Sequence, residues 1–152
     1  MPTTGCSVVL TKTQTFTKNS VYAIKWDSDS AAGKRCYNNG PCWTSEKPTR
    51  FTAPETGLYL IDAFVTLTKS LSGEKFFWIG GPGGEVAKRV LGETAYEGTE
   101  HNFAVSKQIR LEANEYVEVV VYAEVSENPV IEAAEYGSGD SVCRATFELI
   151  RV

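Results

Sequence analysis

The chain of 152 residues contains a single histidine, His101, in the polar segment GTEHN. A serine or cysteine nucleophile would need this imidazole as its base, yet the sequence contains no G-x-S-x-G turn of the kind that presents such a nucleophile. The glycine-rich run GGPGG at residues 80–84 lacks the Lys-Ser/Thr pair and the following helix of a phosphate-binding loop. We therefore expect no catalytic residue and no enzymatic activity, with His101 a solvated loop residue.

Two of the four cysteines, Cys36 and Cys42, bracket the turn-forming segment YNNGP. Thiols placed across a turn suit either a small disulfide loop or half of a zinc site. Zinc would need two further ligands, and the close Cys spacing of zinc knuckles is not met. We expect a disulfide between Cys36 and Cys42, with no metal ion and no cofactor. Buried free thiols are the alternative in a reducing compartment.

A third group of candidates consists of aromatic and polar side chains in the segments with most turn residues. Such side chains could stack on a sugar ring and form hydrogen bonds to its hydroxyls. The candidates for a ligand-binding loop surface are Tyr37, Trp43, Tyr96, Tyr136 and Asp140. Local packing of the aromatic rings explains the same residues equally well.

The elements that would position these residues are strands. Helical periodicity is absent, and turn residues recur about every ten residues, which predicts one all-β sandwich domain over residues 1–152. We expect about ten strands, with an N-terminal strand or arm at residues 1–12, a long loop or a weak hairpin at 27–48, and loops at 92–102 and 126–141. The predicted strands include Ser7–Leu10, Thr13–Phe16, Val21–Trp26, Phe76–Ile79, Val86–Leu91, Phe103–Leu111 and Tyr116–Val125.

The segment Phe51–Leu67 (FTAPETGLYLIDAFVTL) is the most informative of these strands. Gly57 is expected to take a positive φ at the tight turn before the strand. Apolar residues then fall on both alternating faces, with Tyr59, Ile61 and Val65 predicted to face the core. Leu60 and Phe64 face the other way and need a second covering surface, most simply another copy of the chain. A strand whose second face is only partly covered is the alternative.

The pattern F-T-x-P-x-x-G-L-Y-L-I in this segment resembles the tumour necrosis factor and complement globular-head superfamily of jelly rolls. Val105–Tyr122 is similar to that family's paired penultimate strands, and Cys143–Val152 to its closing strand, with Phe147 and Leu149 facing the core. The family usually has Gly-Asp where this chain has Asn114-Glu115, and Asn also tolerates the left-handed conformation. The resemblance covers about residues 45–152.

This resemblance implies an antiparallel jelly-roll sandwich that assembles as a homotrimer. It places Asp62 near the threefold axis, neutralised by Arg110, Arg144 or Arg151; a solvated position at the rim is the alternative. Because the first and last strands of the family fold are neighbours, Cys6 would lie close to Cys143 and could be bonded to it. The implied trimer-interface residues are Leu60, Asp62, Phe64, Arg110 and Thr146.

Composition narrows the choice of function. A net charge of −4 without a basic cluster argues against a nucleic-acid partner, and no apolar run is long enough for a membrane helix. The N-terminal sequence lacks the layout of a secretory signal, as expected for a virion protein made in the host cytoplasm and released by lysis.

We expect a phage or bacterial member of the superfamily that acts as a trimeric decoration or cement protein on a virion surface. Its partners would be further copies of itself and a capsid or other virion protein. The alternative is a tail or surface module that binds a host receptor or a host-surface glycan.

Overall fold

The computed structural model describes residues 4–30, 36–81, 90–96, 98–99, 101–133, 135–136, 141–142 and 145–152. These residues form strands, turns and loops, and none of them lies in a helix that could span a membrane. The strands are β1 (Gly5–Val9), β2 (Gln14–Thr15), β3 (Tyr22–Ala23), β4 (Tyr37–Asn39), β5 (Phe51–Thr52), β6 (Gly57–Thr66), β7 (Glu74–Gly80), β8 (Val90–Tyr96), β9 (Asn102–Leu111), β10 (Tyr116–Glu124), β11 (Val130–Ile131), β12 (Glu135–Tyr136), β13 (Ser141–Val142) and β14 (Ala145–Arg151).

The long strands form two antiparallel sheets. One has the order β4-β1-β14-β6-β9, and the other has the order β3-β10-β7-β8 with β5 also paired to β10. Neighbours in both sheets are mostly far apart in sequence, as in a jelly roll. The first and last long strands, β1 and β14, are adjacent, with Cys6 opposite Leu149. The predicted all-β jelly-roll sandwich is confirmed.

The core lies between the inner faces of the two sheets. Tyr59, Ile61 and Val65 of β6 have no exposed surface, which confirms the predicted facing of this strand. The centre of the core is aromatic: the rings of Phe51 and Phe147 are stacked with centroids 3.6 Å apart, and Trp26 packs against both at 6.2 and 6.0 Å. These rings connect the sheets because Phe51 belongs to β5 and Phe147 to β14.

Two predictions about turns have different outcomes. Asn114 has a φ of 75°, so asparagine does take the left-handed conformation in the turn before β10. Gly57 does not have a positive φ, and that prediction is wrong. An added Cβ at position 57 would lie 2.3 Å from the Nε of Arg151, so this flexible side chain would have to move.

Several residues that were predicted to lie in loops belong to strands. The short strands β11 and β12 lie inside the predicted loop at residues 126–141. β4 lies inside residues 27–48, predicted to be a long loop or a weak hairpin, and β8 continues to Tyr96 through a predicted loop. Each of these strands is short or polar and pairs along one edge, β4 with β1 and β8 with β7. Pairing with an already formed strand supplies the backbone hydrogen bonds that local sequence does not indicate.

Candidate functional site

The most distinctive surface is the outward face of the five-stranded sheet β4-β1-β14-β6-β9, which we term the outer face. Alternation along β6 places Leu60, Asp62 and Phe64 on this face, since their neighbours in sequence are fully or almost fully buried. Leu60 and Phe64 are half-buried, whereas Asp62 is exposed. Leu58 lies on the same face at the start of the strand and is 42% exposed.

The strands on either side of β6 extend its apolar row. Leu60 lies opposite Ile150 on β14 and Gln108 on β9. Phe64 lies opposite Ala104 on β9 and, on the other side, opposite Thr146. Leu60 and Phe64 of the predicted interface therefore share one face, and Thr146 is the strand partner of Phe64. Within the protomer, no described side chain covers this row completely, so its residues remain partly exposed to solvent.

The outer face contains two concavities. One of about 350 Å³ is lined by Asp62, Ala63, Phe64, Ala104, Val105 and Ser106. Another of about 350 Å³ is lined by Tyr37, Asn39, Glu148 and Ile150. A surface with apolar depressions of this size can receive side chains from a partner. The depressions are too shallow and too poor in polar groups to indicate a small-molecule site.

Asp62 has an unexpected neighbour on this face. The register places it directly opposite Glu148 on β14, with Ser106 on its other side. Glu148 accepts a hydrogen bond of 2.8 Å from the hydroxyl of Tyr37. Burial, and then this bond to a carboxylate, raise the pKa of Tyr37 well above its ordinary value. Within the protomer, the site thus combines two like charges rather than an ion pair.

The basic residues expected beside Asp62 lie elsewhere in the protomer. Arg110 is opposite Leu58, on the outer face but near its end. Arg151 is opposite Tyr59, so it belongs to the other face, where it forms an ion pair with Glu55 at 3.4 Å. Within the protomer Arg151 is therefore engaged by Glu55 and not by Asp62, and neutralisation of Asp62 at a threefold axis stays a prediction. Arg144 lies outside the described residues.

Of the loop candidates, the structure describes the side chains of Trp43 and Tyr37. Trp43 is 5% exposed, and its indole N–H donates to the carbonyl of Pro48 at 3.0 Å. Tyr37 lies on the outer face and is engaged by Glu148. Tyr96 lies on β8 and Tyr136 on β12, but the structure does not describe their side chains. Asp140 lies outside the described residues. The contacts of Trp43 and Tyr37 are local, and a ligand surface formed by all five candidates stays a prediction.

A contact that sequence reasoning missed joins His101 to Ser70. The Nδ1 of His101 lies 3.0 Å from the hydroxyl oxygen of Ser70, at an exposed position between β6 and β7. No sequence motif marks Ser70, and the pair is brought together by the adjacent ends of β6 and β9. In the described part of the chain, no carboxylate hydrogen-bonds to this imidazole, and no group of three metal-ligating side chains occurs.

The cysteines are arranged differently from the prediction. None of Cys6, Cys36 and Cys42 is in a disulfide, so the predicted Cys36–Cys42 bridge is not present. The reason lies in Asn38, whose side-chain oxygen accepts hydrogen bonds from the N–H groups of Cys42 (2.8 Å) and Trp43 (3.3 Å). The Cys42 thiol donates to the carbonyl oxygen of Asn39 at 3.6 Å, and it lies close enough to Cys6 on β1 for the two thiols to affect each other's pKa. Cys143 lies outside the described residues.

Comparison with known proteins supports the fold. No family model and no curated protein sequence matches the chain. Among solved structures, the crystal structure of murine APRIL at pH 5.0 is similar, with a TM-score of 0.64 and 10% sequence identity over 99% of this chain and 100% of that one. APRIL is a jelly roll of the tumour necrosis factor type. At this identity the likeness establishes the fold alone, a jelly roll of that type.

Proposed function

We propose that this chain is a non-enzymatic structural protein that assembles as a homotrimer through the outer face and decorates the surface of a virus particle. The observation that carries the assembly is the half-buried apolar row of Leu60, Phe64 and Ile150, which no described part of the protomer covers. Covering one such side chain completely contributes up to about 1.5–3 kcal/mol. Several in each of three copies would therefore favour association.

The size of the outer face fits a stable interface. Five strands spaced about 4.8 Å apart span about 19 Å, and the ten residues of β6 extend about 33 Å, which gives a flat area of about 630 Å². A specific interface uses about 800 Å² from each partner. The outer face with its two concavities therefore supplies most of what one protomer contributes to one such interface, and a cyclic trimer gives each protomer two.

Oligomeric mass tests the assembly. We expect light scattering to give the mass of a trimer at micromolar concentration, and Phe64→Glu to give a monomer because a carboxylate would replace the apolar ring. Val21→Glu is the matched control, since Val21 is 54% exposed and directly precedes β3 of the other sheet. A monomeric mass for the unmodified chain, or dissociation caused equally by Val21→Glu, would contradict the assembly.

The particle-surface role has a different support, the resemblance of the sequence and fold to a superfamily that includes virion proteins; this is a fold-level analogy. Its test is the position of the protein on purified particles. Particles without the protein should keep their shape but lose resistance to heat or to chelators. Particles of normal stability that fail to adsorb to host cells would instead favour the receptor- or glycan-binding function.

The absence of catalysis needs its own test because of the contact between Ser70 and His101. We expect no hydrolysis of esters, peptides or polysaccharides by the purified protein. A turnover that is lost in both Ser70→Ala and His101→Ala, with unchanged folding by circular dichroism, would show that the chain is an enzyme.

A further inference from the structure

Cys6 and Cys42 form a thiol pair at the boundary between the core and the surface. Cys6 has no exposed surface, and Cys42 is 2% exposed. The hydrogen bond from the Cys6 thiol lowers the pKa of Cys42, although burial opposes it. Burial, and then the same bond, raise the pKa of Cys6 well above its usual value. The two thiols thus differ: Cys42 is the one that more readily becomes a thiolate, the nucleophilic form.

Cys42 also borders a surface concavity. The concavity has a volume of about 300 Å³, and its lining includes Cys42, Thr44, Glu46, Lys47, Arg50 and Thr52. Lys47 and Arg50 bring two positive charges to its wall, and Arg50 is held by its position over the ring of Tyr116, 4.4 Å from the ring centroid. The small exposed part of Cys42 therefore faces a pocket that suits a compact anionic molecule.

We propose that this pocket is a thiol–disulfide exchange site for a small anionic disulfide of the glutathione class, with Cys42 as the attacking thiol and Cys6 as the resolving thiol. Lys47 and Arg50 would hold the carboxylates of the reagent, and Glu46 its ammonium group. The product is a disulfide between Cys6 and Cys42, a pairing that the order of the cysteines along the chain does not suggest.

The reaction has two balanced steps. Cys42 loses its proton to solvent, and its thiolate attacks one sulfur of the glutathione disulfide; a Cys42–glutathione bond forms and one glutathione thiolate leaves. The sulfur of Cys6 then attacks the Sγ of Cys42, and its proton passes to the departing sulfur of the second glutathione. The two cysteines are oxidised by two electrons, and one external disulfide is reduced to two molecules of glutathione.

The bridge would change the mechanics of the sheet. Cys6 lies in β1, whereas Cys42 follows β4 and precedes β5, which pairs with the other sheet. A bond between them closes the loop from residue 6 to residue 42 and ties the two sheets together at this edge. Closing a loop of this length should raise the melting temperature by roughly 10 °C.

The test is disulfide mapping of the folded protein after incubation with oxidised glutathione. We expect Cys6 to be joined to Cys42, and Cys6→Ser to accumulate a mixed disulfide at Cys42. Cys36→Ser should react like the unmodified chain. A Cys36–Cys42 linkage, or no reaction of the folded protein under conditions in which the unfolded chain reacts, would overturn the proposal. The unmodified protein alone decides this point if a variant fails to fold.

A second measurement tests the pocket. Lys47→Glu should slow the reaction with oxidised glutathione by about tenfold through lost charge attraction, yet leave the reaction with the uncharged hydroxyethyl disulfide unchanged. If Lys47→Glu reacts with oxidised glutathione as fast as the unmodified chain does, the pocket has no anion-binding role. An equal loss of rate with both reagents would show a structural effect, and would likewise contradict the assignment of Lys47.

Discussion

Asp62 and Glu148 form the least expected residue pair on the outer face, because two carboxylates stand directly opposite each other on β6 and β14. Directly opposed side chains have Cβ atoms about 5 Å apart, and two unit charges near that distance repel by about 0.8 kcal/mol in water and about 3 kcal/mol at an effective dielectric constant of 20. The repulsion therefore grows if assembly removes water from this face.

We predict that Asp62→Asn strengthens trimer formation, with a three- to tenfold lower dissociation constant measured by light scattering or analytical ultracentrifugation at low salt. The chain offers a matched control, because Glu124 and Glu74 form the same kind of opposed pair in the other sheet. Glu124→Gln should leave association unchanged. Weaker association of Asp62→Asn would show that a basic group of the neighbouring protomer, with Arg110 the described candidate, neutralises Asp62 as the sequence suggested.

Tyr37 provides a prediction at high pH. Its folded-state pKa is raised by burial and by Glu148, whereas the unfolded chain should have the ordinary value near ~10. The stabilisation is therefore fully present below pH ~10 and is lost as pH rises toward the folded-state pKa. Urea unfolding from pH 8 to 12 should show a shallower loss of stability in Tyr37→Phe than in the unmodified chain. Equal slopes would mean that Tyr37 ionises equally readily in both states.

At the level of elements, the pairing of β1 with β14 depends on Gly5. Its φ is 150°, and an added Cβ would lie 2.1 Å from the backbone oxygen of Leu149. Gly5→Ala should therefore separate the two strands at this point and lower the free energy of unfolding by about 2–4 kcal/mol.

Gly98→Ala is the control for Gly5→Ala. Gly98 has a φ of 78°, but an added Cβ would have nothing within 4 Å. In this variant only backbone strain should lower the free energy of unfolding, by about 1–2 kcal/mol. Denaturant unfolding of both variants measures the difference. If both lose the same stability, the close approach between Gly5 and Leu149 is not what requires glycine.

The elements also show what the sequence could reveal. The two faces of β6 were predicted correctly because Tyr59, Ile61 and Val65 follow strict alternation in a strand with a fixed register. The thiol pair could not be predicted, because it depends on the side chain of Asn38 turning the chain after β4. Nor could the opposed carboxylates, because the register of β14 against β6 depends on pairing between distant segments. The local sequence pattern thus predicts which side chains point to the core, whereas the pairing of distant strands determines which side chains contact each other.

For the whole molecule, the proposed trimer would depend on both the apolar area and the charge of the outer face. The apolar row favours association in any salt, whereas the repulsion between carboxylates is screened as salt rises. We predict that trimer formation by the unmodified chain strengthens between about 20 mM and 500 mM sodium chloride, and that Asp62→Asn loses much of this dependence. Sedimentation at several protein concentrations measures it. Dissociation by salt would indicate ion pairs between protomers in place of repulsion.

The order of strands has a consequence for synthesis. β14 comes later in the chain than the other strands of its sheet, yet it lies in the interior of that sheet between β1 and β6. A nascent chain that ends before residue 145 can form only two separate pairs, β4 with β1 and β6 with β9, and each keeps an open edge. Folding of this sheet must therefore wait until residues 145–151 have been made. Until then the exposed edges invite premature pairing between neighbouring nascent chains on one messenger RNA, so truncated products should be the aggregating species in the cell.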